Sequence, residues 1–398
     1  MNPATGVETT WEITASTDVR DVSEVLDAVY LADTPLMNRL KWGAPTHNTK
    51  IEWISDNIGY GYVVLSHGAD LASGTTSWEI GTSGLGAISL AVRQLNSGTI
   101  LKVMDTDHAA ASLIVKGWYV VNNWSVGGTL SVSALSGCTL AEAITDASTL
   151  YIVGNAVPEA SATRYDKTRP RSLHSNYTQI FRQDVRMSGT RQALAMHAVP
   201  NELRHQIMLR AKEHKRQLER TVILGKKEAG AAAAGDYVRL MGGIMDFMAG
   251  QSGSHIDATT TAFTETALNN LLAAMWDKGA TPNAILTGPA RARSISSWER
   301  ARVRVEQDSH VAGFYTNRYM SDLGWDLEIL VSRWCTSNVV FVIDTSKIIP
   351  RAMRGRKYLL EKLGKNGDYD EYQLIAEVTL EMRGYTEAQH GMFHALTS

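Results

Sequence analysis

The most regular alternation of apolar and polar positions lies near the C-terminus, in residues 372–382. The apolar positions are Leu374, Ala376, Val378, Leu380 and Met382, and the polar ones are Gln373, Glu377, Thr379 and Glu381. Only Ile375 interrupts this two-residue period, which is typical of a strand with one buried face. Such a strand spans about 40 Å, roughly twice the usual length. We expect residues 357–363 and 389–396 to flank it in an antiparallel sheet.

Residues 201–224 have the period of a long amphipathic helix. The members of its apolar stripe recur every three or four positions and are Leu203, Ile207, Ala211, His214, Leu218 and Val222. The predicted helix is about 36 Å long. Pro200 suits its first turn, and Gly225 suits a left-handed residue just after its end. The stripe predicts that His214 is packed in the core rather than bound to a ligand, and the basic residues lie off the stripe at Arg204, Lys212, Lys215, Arg216 and Arg220.

The N-terminal half contains shorter elements. Residues 21–32 follow a helical period, and Pro35 helps to end that helix. Residues 50–55 alternate as a half-buried strand, and the glycine-rich passage up to residue 87 is expected to be extended and exposed. Short β-prone runs over 88–153 predict a small barrel or sandwich. We expect strand 50–55 to pair with 177–186 as a long hairpin that carries this β-rich unit.

The C-terminal half predicts an α+β domain over about 256–345. An Ala/Gly linker at 229–235 precedes a helix that Thr264 caps and Gly279 ends. The buried face of that helix is expected to include Trp276. A strand at 284–287, a helix from Pro289, and strands at 327–331 and 339–343 complete the pattern.

Composition narrows the class of protein. The chain has 398 residues, of which 44% are hydrophobic and 20% charged, so a sizeable packed core is expected. No apolar run approaches the ~20 residues of a membrane span, and residues 1–20 lack the features of a secretory signal. Cys138 and Cys335 are expected to be reduced, packed thiols. We therefore expect a protein that folds in the cytoplasm and has no membrane partner.

The formal net charge of −2 hides a segregation of charge. Residues 1–36 hold seven acids and one base, whereas bases gather at 164–171, 204–220, 291–304 and 351–357. An acidic arm and basic segments elsewhere are suited to contacts between copies of the chain. The alternative is that these charges belong to ordinary solvated surface. The candidate intersubunit contacts are Glu24, Asp27, Asp33, Arg164, Arg169, Arg171, Arg291, Arg293, Arg302 and Arg304.

A search for catalytic motifs finds none of the common ones. The chain lacks G-x-S-x-G, a P-loop, H-E-x-x-H and C-x-x-C. His390 and His394 could share a strand face, but a metal site there would need two more ligands. We therefore expect no catalytic residue, no metal and no cofactor. The basic clusters lack interleaved aromatic residues, so at most nonspecific phosphate contact is expected.

The order of these elements, an arm, an extended loop, a long helix, an α+β domain and a long return strand, resembles the major capsid proteins of tailed bacteriophages. Short phrases at 33–36, 154–159, 175–181, 354–356, 366–368 and 377–381 resemble one family of phage major head proteins. The resemblance covers nearly the whole chain and implies the Hong Kong 97-type fold, of class α+β. It implies an N-terminal arm (1–45), an extended loop (46–87 and 154–186), a β-rich insertion domain (88–153), a spine helix with peripheral domain (187–243), an axial domain (244–345) and return strands of the peripheral domain (346–398).

The resemblance also implies a function. A major capsid protein assembles with itself, as hexamers and pentamers, into the icosahedral head that encloses double-stranded DNA. The other partners implied are a portal, possible cement or scaffold proteins, and nonspecifically bound DNA. The alternatives are an encapsulin-like compartment, a tail or decoration protein of a virion, and an enzyme with a glycan-binding β-module. Since the chain begins almost directly with the arm, we expect no N-terminal scaffolding segment.

Overall fold

The computed structural model describes most of the chain from Thr34 to His394. The described residues are 34–56, 61–65, 71, 75–80, 95, 97–104, 115–124, 129–135, 144, 146, 148–156, 159, 171–194, 201–233, 236–249, 263–300 and 318–394. The predicted helix at 21–32 and the predicted strand at 88–92 lie outside these residues.

The long C-terminal strand is confirmed and runs over Tyr369–Met382. Gln179–Ser188 pairs along one edge, and Leu359–Lys362 and Ile348–Ala352 follow each other along the opposite edge. The prediction that 389–396 flanks this strand is wrong. A turn that contains Gly384, at a φ of 72°, reverses the chain after the strand. Gly391–Phe393 then joins a different sheet beside Val340–Ile343.

The long helix is confirmed as Glu202–Leu224. Its cap is Asn201, whose side chain accepts a hydrogen bond from the Arg204 backbone N–H, so Pro200 precedes the cap instead of occupying the first turn. Gly225 ends the helix at a φ of −61°, which is not the left-handed conformation expected. Glycine is needed there for space, because a Cβ would collide with the carbonyl oxygens of Thr221 and Met241. The buried side chains of the helix all lie in its C-terminal half, and they include His214 as predicted.

Strand Lys50–Ser55 is confirmed, but the predicted partner is wrong. It pairs antiparallel with Ser172–Tyr177, which gives a two-stranded ribbon. The segment that was expected there, Gln179–Ser188, pairs with the long strand instead. The change of partner occurs at Thr178, whose backbone N–H donates to the Thr49 carbonyl.

A six-stranded antiparallel sheet forms a β-rich unit with its own core. Its strands, in spatial order, are Tyr62–Val64, Thr149–Asn155, Thr99–Met104, Val115–Trp124, Thr129–Ala134 and Ser77–Glu79. The two outer strands come from the glycine-rich passage that was expected to be exposed. That prediction is wrong for Val63, Leu65, Leu71 and Trp78, which are at most 2% exposed. Both edge strands of the sheet therefore lie within residues 62–79, upstream of the predicted start of the insertion domain at residue 88.

A five-stranded mixed sheet separates two further cores. Its strands, in spatial order, are Arg318–Met320, Asp326–Val331, Ala284–Thr287, Val340–Ile343 and Gly391–Phe393. Leu286 and Phe341 face the main core with the long helix, whereas Ile285 and Val342 face a second core. The strands Ala284–Thr287 and Val340–Ile343 are buried on both faces, which explains why they are apolar at almost every position.

The helix Glu265–Asp277 covers the second core of that sheet, and Pro289–Arg300 packs beside it. The predicted cap and stop are confirmed: Thr264 accepts from the Ala267 backbone N–H, and Gly279 has a φ of 72°. Trp276 was expected in the buried face but is 56% exposed, and its ring lies 5.6 Å from that of Trp325.

The remaining elements are short. The predicted linker at 229–235 is replaced by a β-hairpin, Glu228–Ala233 with Asp236–Leu240. Short helices occur at Pro35–Arg39, Gly189–Ala193 and Ile244–Ala249. The mixture of segregated sheets and helices is the α+β class that the sequence predicts.

Candidate functional site

Within the described ranges no cluster of three or more histidine, cysteine or acidic side chains could hold a metal ion. Nor does this part of the chain contain a helix long and apolar enough to cross a membrane. Cys335 is buried, and burial raises the pKa of its thiol to about 12. A thiol with that pKa stays protonated at neutral pH, so it is a poor nucleophile.

His390 has a structural role. Its Nδ1 accepts a hydrogen bond from the Asp344 backbone N–H at 3.3 Å, and its Nε2 donates to the Arg383 carbonyl at 2.9 Å. The imidazole is 2% exposed, and burial lowers its pKa to about 4. It therefore stays neutral at physiological pH and holds the turn after the long strand against the end of the five-stranded sheet.

The polar positions Glu377, Thr379 and Glu381 of the long strand are buried, contrary to the one-sided burial that the alternation predicts. Glu377 is 2% exposed and accepts hydrogen bonds from Thr178 Oγ1 at 2.8 Å and Arg239 Nη2 at 3.1 Å. Arg356 Nε lies 3.2 Å from its other carboxylate oxygen. These partners come from three separate segments, so this carboxylate ties the long strand to both of its flanks. Buried carboxylates need such pairing because desolvation of an unpaired charge is costly.

Glu381, four residues further along the strand, is held in the same way. It is 2% exposed and forms ion pairs with Arg351 and Arg383. The apparently polar face of the strand is therefore covered by arginine side chains rather than by water.

The base of the two-stranded ribbon is fixed by Asn176. Its side chain is fully buried and uses all its hydrogen-bonding capacity. Nδ2 donates to the carbonyls of Gly242 and Leu380, and Oδ1 accepts from the backbone N–H groups of Gly242 and Tyr177. Because every polar atom of a buried side chain is satisfied, this anchor defines one position of the ribbon relative to the long strand.

A second anchor lies further along the ribbon at His174. Its Nδ1 lies 2.9 Å from Tyr385 Oη, and its Nε2 lies 2.8 Å from Ser55 Oγ. Burial lowers the pKa of this imidazole. Trp53 adds ring contacts with His174 and Tyr385, at centroid distances of 6.1 and 6.4 Å. One face of the ribbon is therefore packed firmly on the body of the protein.

The opposite face of the ribbon presents an apolar pair. Ile54 and Leu173 are directly opposite each other in the register, and each is 63% exposed. Cross-strand pairs of this kind contact each other and present one continuous surface. The signal was visible in the sequence, since Ile54 falls on the polar face of a strand whose other face holds Ile51 and Trp53.

A ribbon that is anchored on one face and presents an exposed apolar pair on the other is suited to contact with another protein. The family model of the SU10 major capsid protein matches residues 4–397. The chain belongs to this family.

Individual relatives agree with this assignment. The major capsid protein of Escherichia phage Phieco32 is 23% identical over 288 residues, which cover 60% of this chain and 81% of that protein. Among solved structures, the capsid of cyanophage A-1(L) has a TM-score of 0.54 at 11% identity and covers 98% of this chain and 99% of the other. The capsid of a native GTA particle has a TM-score of 0.51 at 10% identity, with 99% and 100% covered.

The predicted Hong Kong 97-type fold and the predicted capsid function are thereby confirmed. This major capsid protein is a structural subunit of a phage capsid, where many copies form a shell, and its place is the virion. Its family is a structural one and not a class of enzymes. The encapsulin-like, tail-protein and enzyme alternatives are not supported by the family assignment.

Three of the predicted contact residues of the capsid protein lie in described segments. Arg171 is exposed, 3.8 Å from the exposed Asp56, and Arg293 is also exposed. Arg291 is 8% exposed, and its Nε donates to the Ser337 carbonyl at 2.8 Å within the same subunit. The other predicted contacts lie outside the described residues and are Glu24, Asp27, Asp33, Arg164, Arg169, Arg302 and Arg304.

Proposed function

We propose that copies of this capsid protein assemble as hexamers and pentamers into the icosahedral head of a tailed phage, which encloses double-stranded DNA. The observation that carries the proposal is the anchored ribbon with its exposed Ile54–Leu173 pair. An apolar surface on a firmly positioned element loses little conformational entropy when it binds, so it suits repeated contacts with the next copy. Closed rotational symmetry then repeats that contact around each ring.

The segments take the following roles in this proposal. Residues 1–45 act as an arm that reaches a neighbour, and the loop of 46–87 and 154–186 carries the ribbon. The insertion at 88–153 forms the six-stranded sheet together with two outer strands from the loop, Tyr62–Val64 and Ser77–Glu79. Residues 187–243 and 346–398 form the peripheral domain, and 244–345 form the axial domain around the centres of hexamers and pentamers.

The energy of one ribbon contact is modest. Full burial of an isoleucine or leucine side chain contributes roughly 1.5–3 kcal/mol, and these two side chains are about two-thirds exposed before contact. The pair therefore contributes on the order of 2–4 kcal/mol before the costs of association. A single contact of this size is weak, but many such contacts in a closed shell add through multivalency.

Charge adds selectivity to this arrangement. The arm holds Glu24, Asp27 and Asp33, and exposed cations such as Arg171 and Arg293 offer complementary surface on a neighbouring copy. Assembly takes place in the host cytoplasm in this proposal. The further partners are a portal, possible cement or scaffold proteins, and packaged DNA held by nonspecific contacts.

The first experiment is expression of the chain alone, followed by size-exclusion chromatography and electron microscopy. Wild-type protein should give closed shells or rings of five and six. The double variant Ile54→Ser with Leu173→Ser should shift the product toward free subunits. Val153→Ser, which changes a 54% exposed side chain of the six-stranded sheet, is the matched control and should still assemble. Wild-type protein that stays monomeric under all salt conditions would refute the assembly proposal, and normal shells from the double variant would refute the role of the ribbon.

A second experiment tests the arm. Deletion through Leu36 would also damage the core, because Leu36 is 0% exposed and the Met37 backbone N–H donates to Glu219 at 3.2 Å. Deletion of residues 1–33 leaves these contacts in place. We expect this deletion to give folded, soluble protein, checked by circular dichroism, that forms no closed shells. An unchanged yield of shells would contradict the role of the arm.

A further inference from the structure

A row of basic side chains lies along the C-terminal half of the long helix. Lys212, Arg216 and Arg220 are spaced by four residues, which places them on neighbouring turns of one side of the helix. The row covers about 12 Å along the axis. Arg220 is exposed, and Lys212 and Arg216 are partly exposed.

The two arginines of this row share one aromatic ring. The guanidinium carbon of Arg216 lies 5.9 Å from the ring centroid of Trp334, and that of Arg220 lies 5.1 Å from it. Contact with an indole holds a guanidinium in place and leaves its N–H groups able to donate to oxygen acceptors. Trp334 therefore positions two cations side by side.

The carboxylates of the long helix do not neutralise this pair. Glu219 is buried and accepts from the Ser332 hydroxyl at 3.1 Å and the Met37 backbone N–H at 3.2 Å. Glu213 pairs with Arg210. Among the residues that the structure describes, no carboxylate forms an ion pair with Arg216 or Arg220. Their charge is available to a partner.

We infer that the row of Lys212, Arg216 and Arg220 binds the phosphate backbone of double-stranded DNA, which gives a location to the DNA contact that the proposed function contains. Guanidinium groups match the geometry of phosphate oxygens through paired N–H donors. A duplex presents about seven phosphate charges over the 12 Å that the row covers. The row offers no free aromatic face for a base, so the contact is independent of sequence.

The acidic arm is the competing partner for this surface. It holds seven carboxylates among 36 residues, together with one base. That charge density is much lower than the density of a duplex, which favours DNA. The arm enters the described fold beside Glu219, close to the row, so the experiment must separate the two partners.

The test is a titration of a labelled duplex with the full-length, unassembled chain, followed by fluorescence anisotropy between about 50 and 200 mM salt. The slope of log affinity against log salt counts the phosphates contacted. The double variant Arg216→Gln with Arg220→Gln should lower that slope by about 1.8, because each lost contact removes about 0.9. Arg216→Lys with Arg220→Lys should retain most of the slope, since charge is kept.

The matched control is Lys41→Gln with Arg354→Gln, which removes two exposed cations elsewhere. Its slope should equal that of the wild type. An equal loss in the control would show general attraction to the surface and overturn the inference. A peptide of residues 1–33 that binds the wild type but not the glutamine variant, at salt concentrations where the duplex does not bind, would also overturn it.

A second readout applies if the chain assembles before it can be titrated. Filled heads of the glutamine variant should release DNA at a lower temperature than filled heads of the control, whereas empty shells of both should melt alike. Equal release temperatures would overturn the inference. Since shells would still form in that case, this failure is distinct from a failure of the proposed assembly.

Discussion

Acid should destabilise the unassembled subunit within a pH window that His390 sets. The imidazole is buried, its Nδ1 accepts from the Asp344 backbone N–H, and burial lowers its pKa from 6.5 to about 4. In the unfolded chain the same group titrates near its ordinary value. Between those two pKa values the unfolded chain binds a proton that the folded chain does not.

The sign and size of the change in the free energy of unfolding follow from that difference in pKa. Above pH 6.5 both states are neutral at this position, and its full contribution to stability is present. As the pH falls toward 4, the unfolded state gains protons and the free energy of unfolding falls. A pKa difference of this size corresponds to about 3 kcal/mol of folding stability in total, of which about 2 kcal/mol is lost by about pH 5. Burial also lowers the pKa values of His174 and His214, which adds a loss in the same direction.

The assay is urea unfolding of the unassembled chain, followed by tryptophan fluorescence at several pH values. His390→Gln removes the titrating group, so the variant should lose less stability than the wild type between about pH 7 and 5, by about 2 kcal/mol. His47→Gln, at an exposed position, is the control and should follow the wild-type curve. If the difference between wild type and His390→Gln is the same at both pH values, the assigned role of His390 is wrong.

Three further predictions concern the core and its buried polar groups. Glu377→Ala should lower the free energy of unfolding by about 1–3 kcal/mol, because the Thr178 hydroxyl loses its acceptor and the partly exposed Arg239 and Arg356 lose their carboxylate. A loss below ~1 kcal/mol in urea unfolding would contradict the pairing. Thr178→Val should cost about 1–3 kcal/mol in the same assay, since Glu377 loses one donor, and an unchanged midpoint would argue against that hydrogen bond. Cys335 should react with a thiol reagent only after denaturant is added, and fast reaction in native buffer would show that it is accessible.

The parts of the fold that sequence predicts well depend on neighbours in the chain. The cap at Thr264 needs only the backbone three residues later, and the stop at Gly279 needs only its own φ. The long strand reveals itself by a two-residue period. These signals are local, so a single sequence carries them completely.

Local sequence does not predict which strands pair with each other. Nothing within Lys50–Ser55 distinguishes Ser172–Tyr177 from Gln179–Ser188, because both are extended segments that follow the same insertion. The choice is made by Asn176, whose buried side chain needs the carbonyls of Gly242 and Leu380. Those partners lie 66 and 204 residues away, which no local pattern encodes.

The composition of a segment does not predict the surroundings of each of its side chains. Local charge marked Arg291 as a contact, but its guanidinium is used internally by the Ser337 carbonyl. Glycine-rich composition concealed Trp78, which is fully buried in the six-stranded sheet. In both cases composition was averaged over a segment, whereas burial is decided by one side chain and its distant partner.

The paired charges of the long strand have a consequence for its register. Because side chains alternate with a period of two, a slip of two residues would keep apolar side chains toward the core. Such a slip would place Thr379 opposite the partners of Glu377, and Arg239 and Arg356 would lose their carboxylate. Glu377, which is 2% exposed, would also leave all three of its partners, and an unpaired buried carboxylate costs several kcal/mol. The hydrophobic alternation therefore selects the face of the strand, and the buried carboxylates select its position along the sheet. A subunit that must repeat one contact surface throughout a shell needs both, since a slipped strand would move the turn that holds the ribbon.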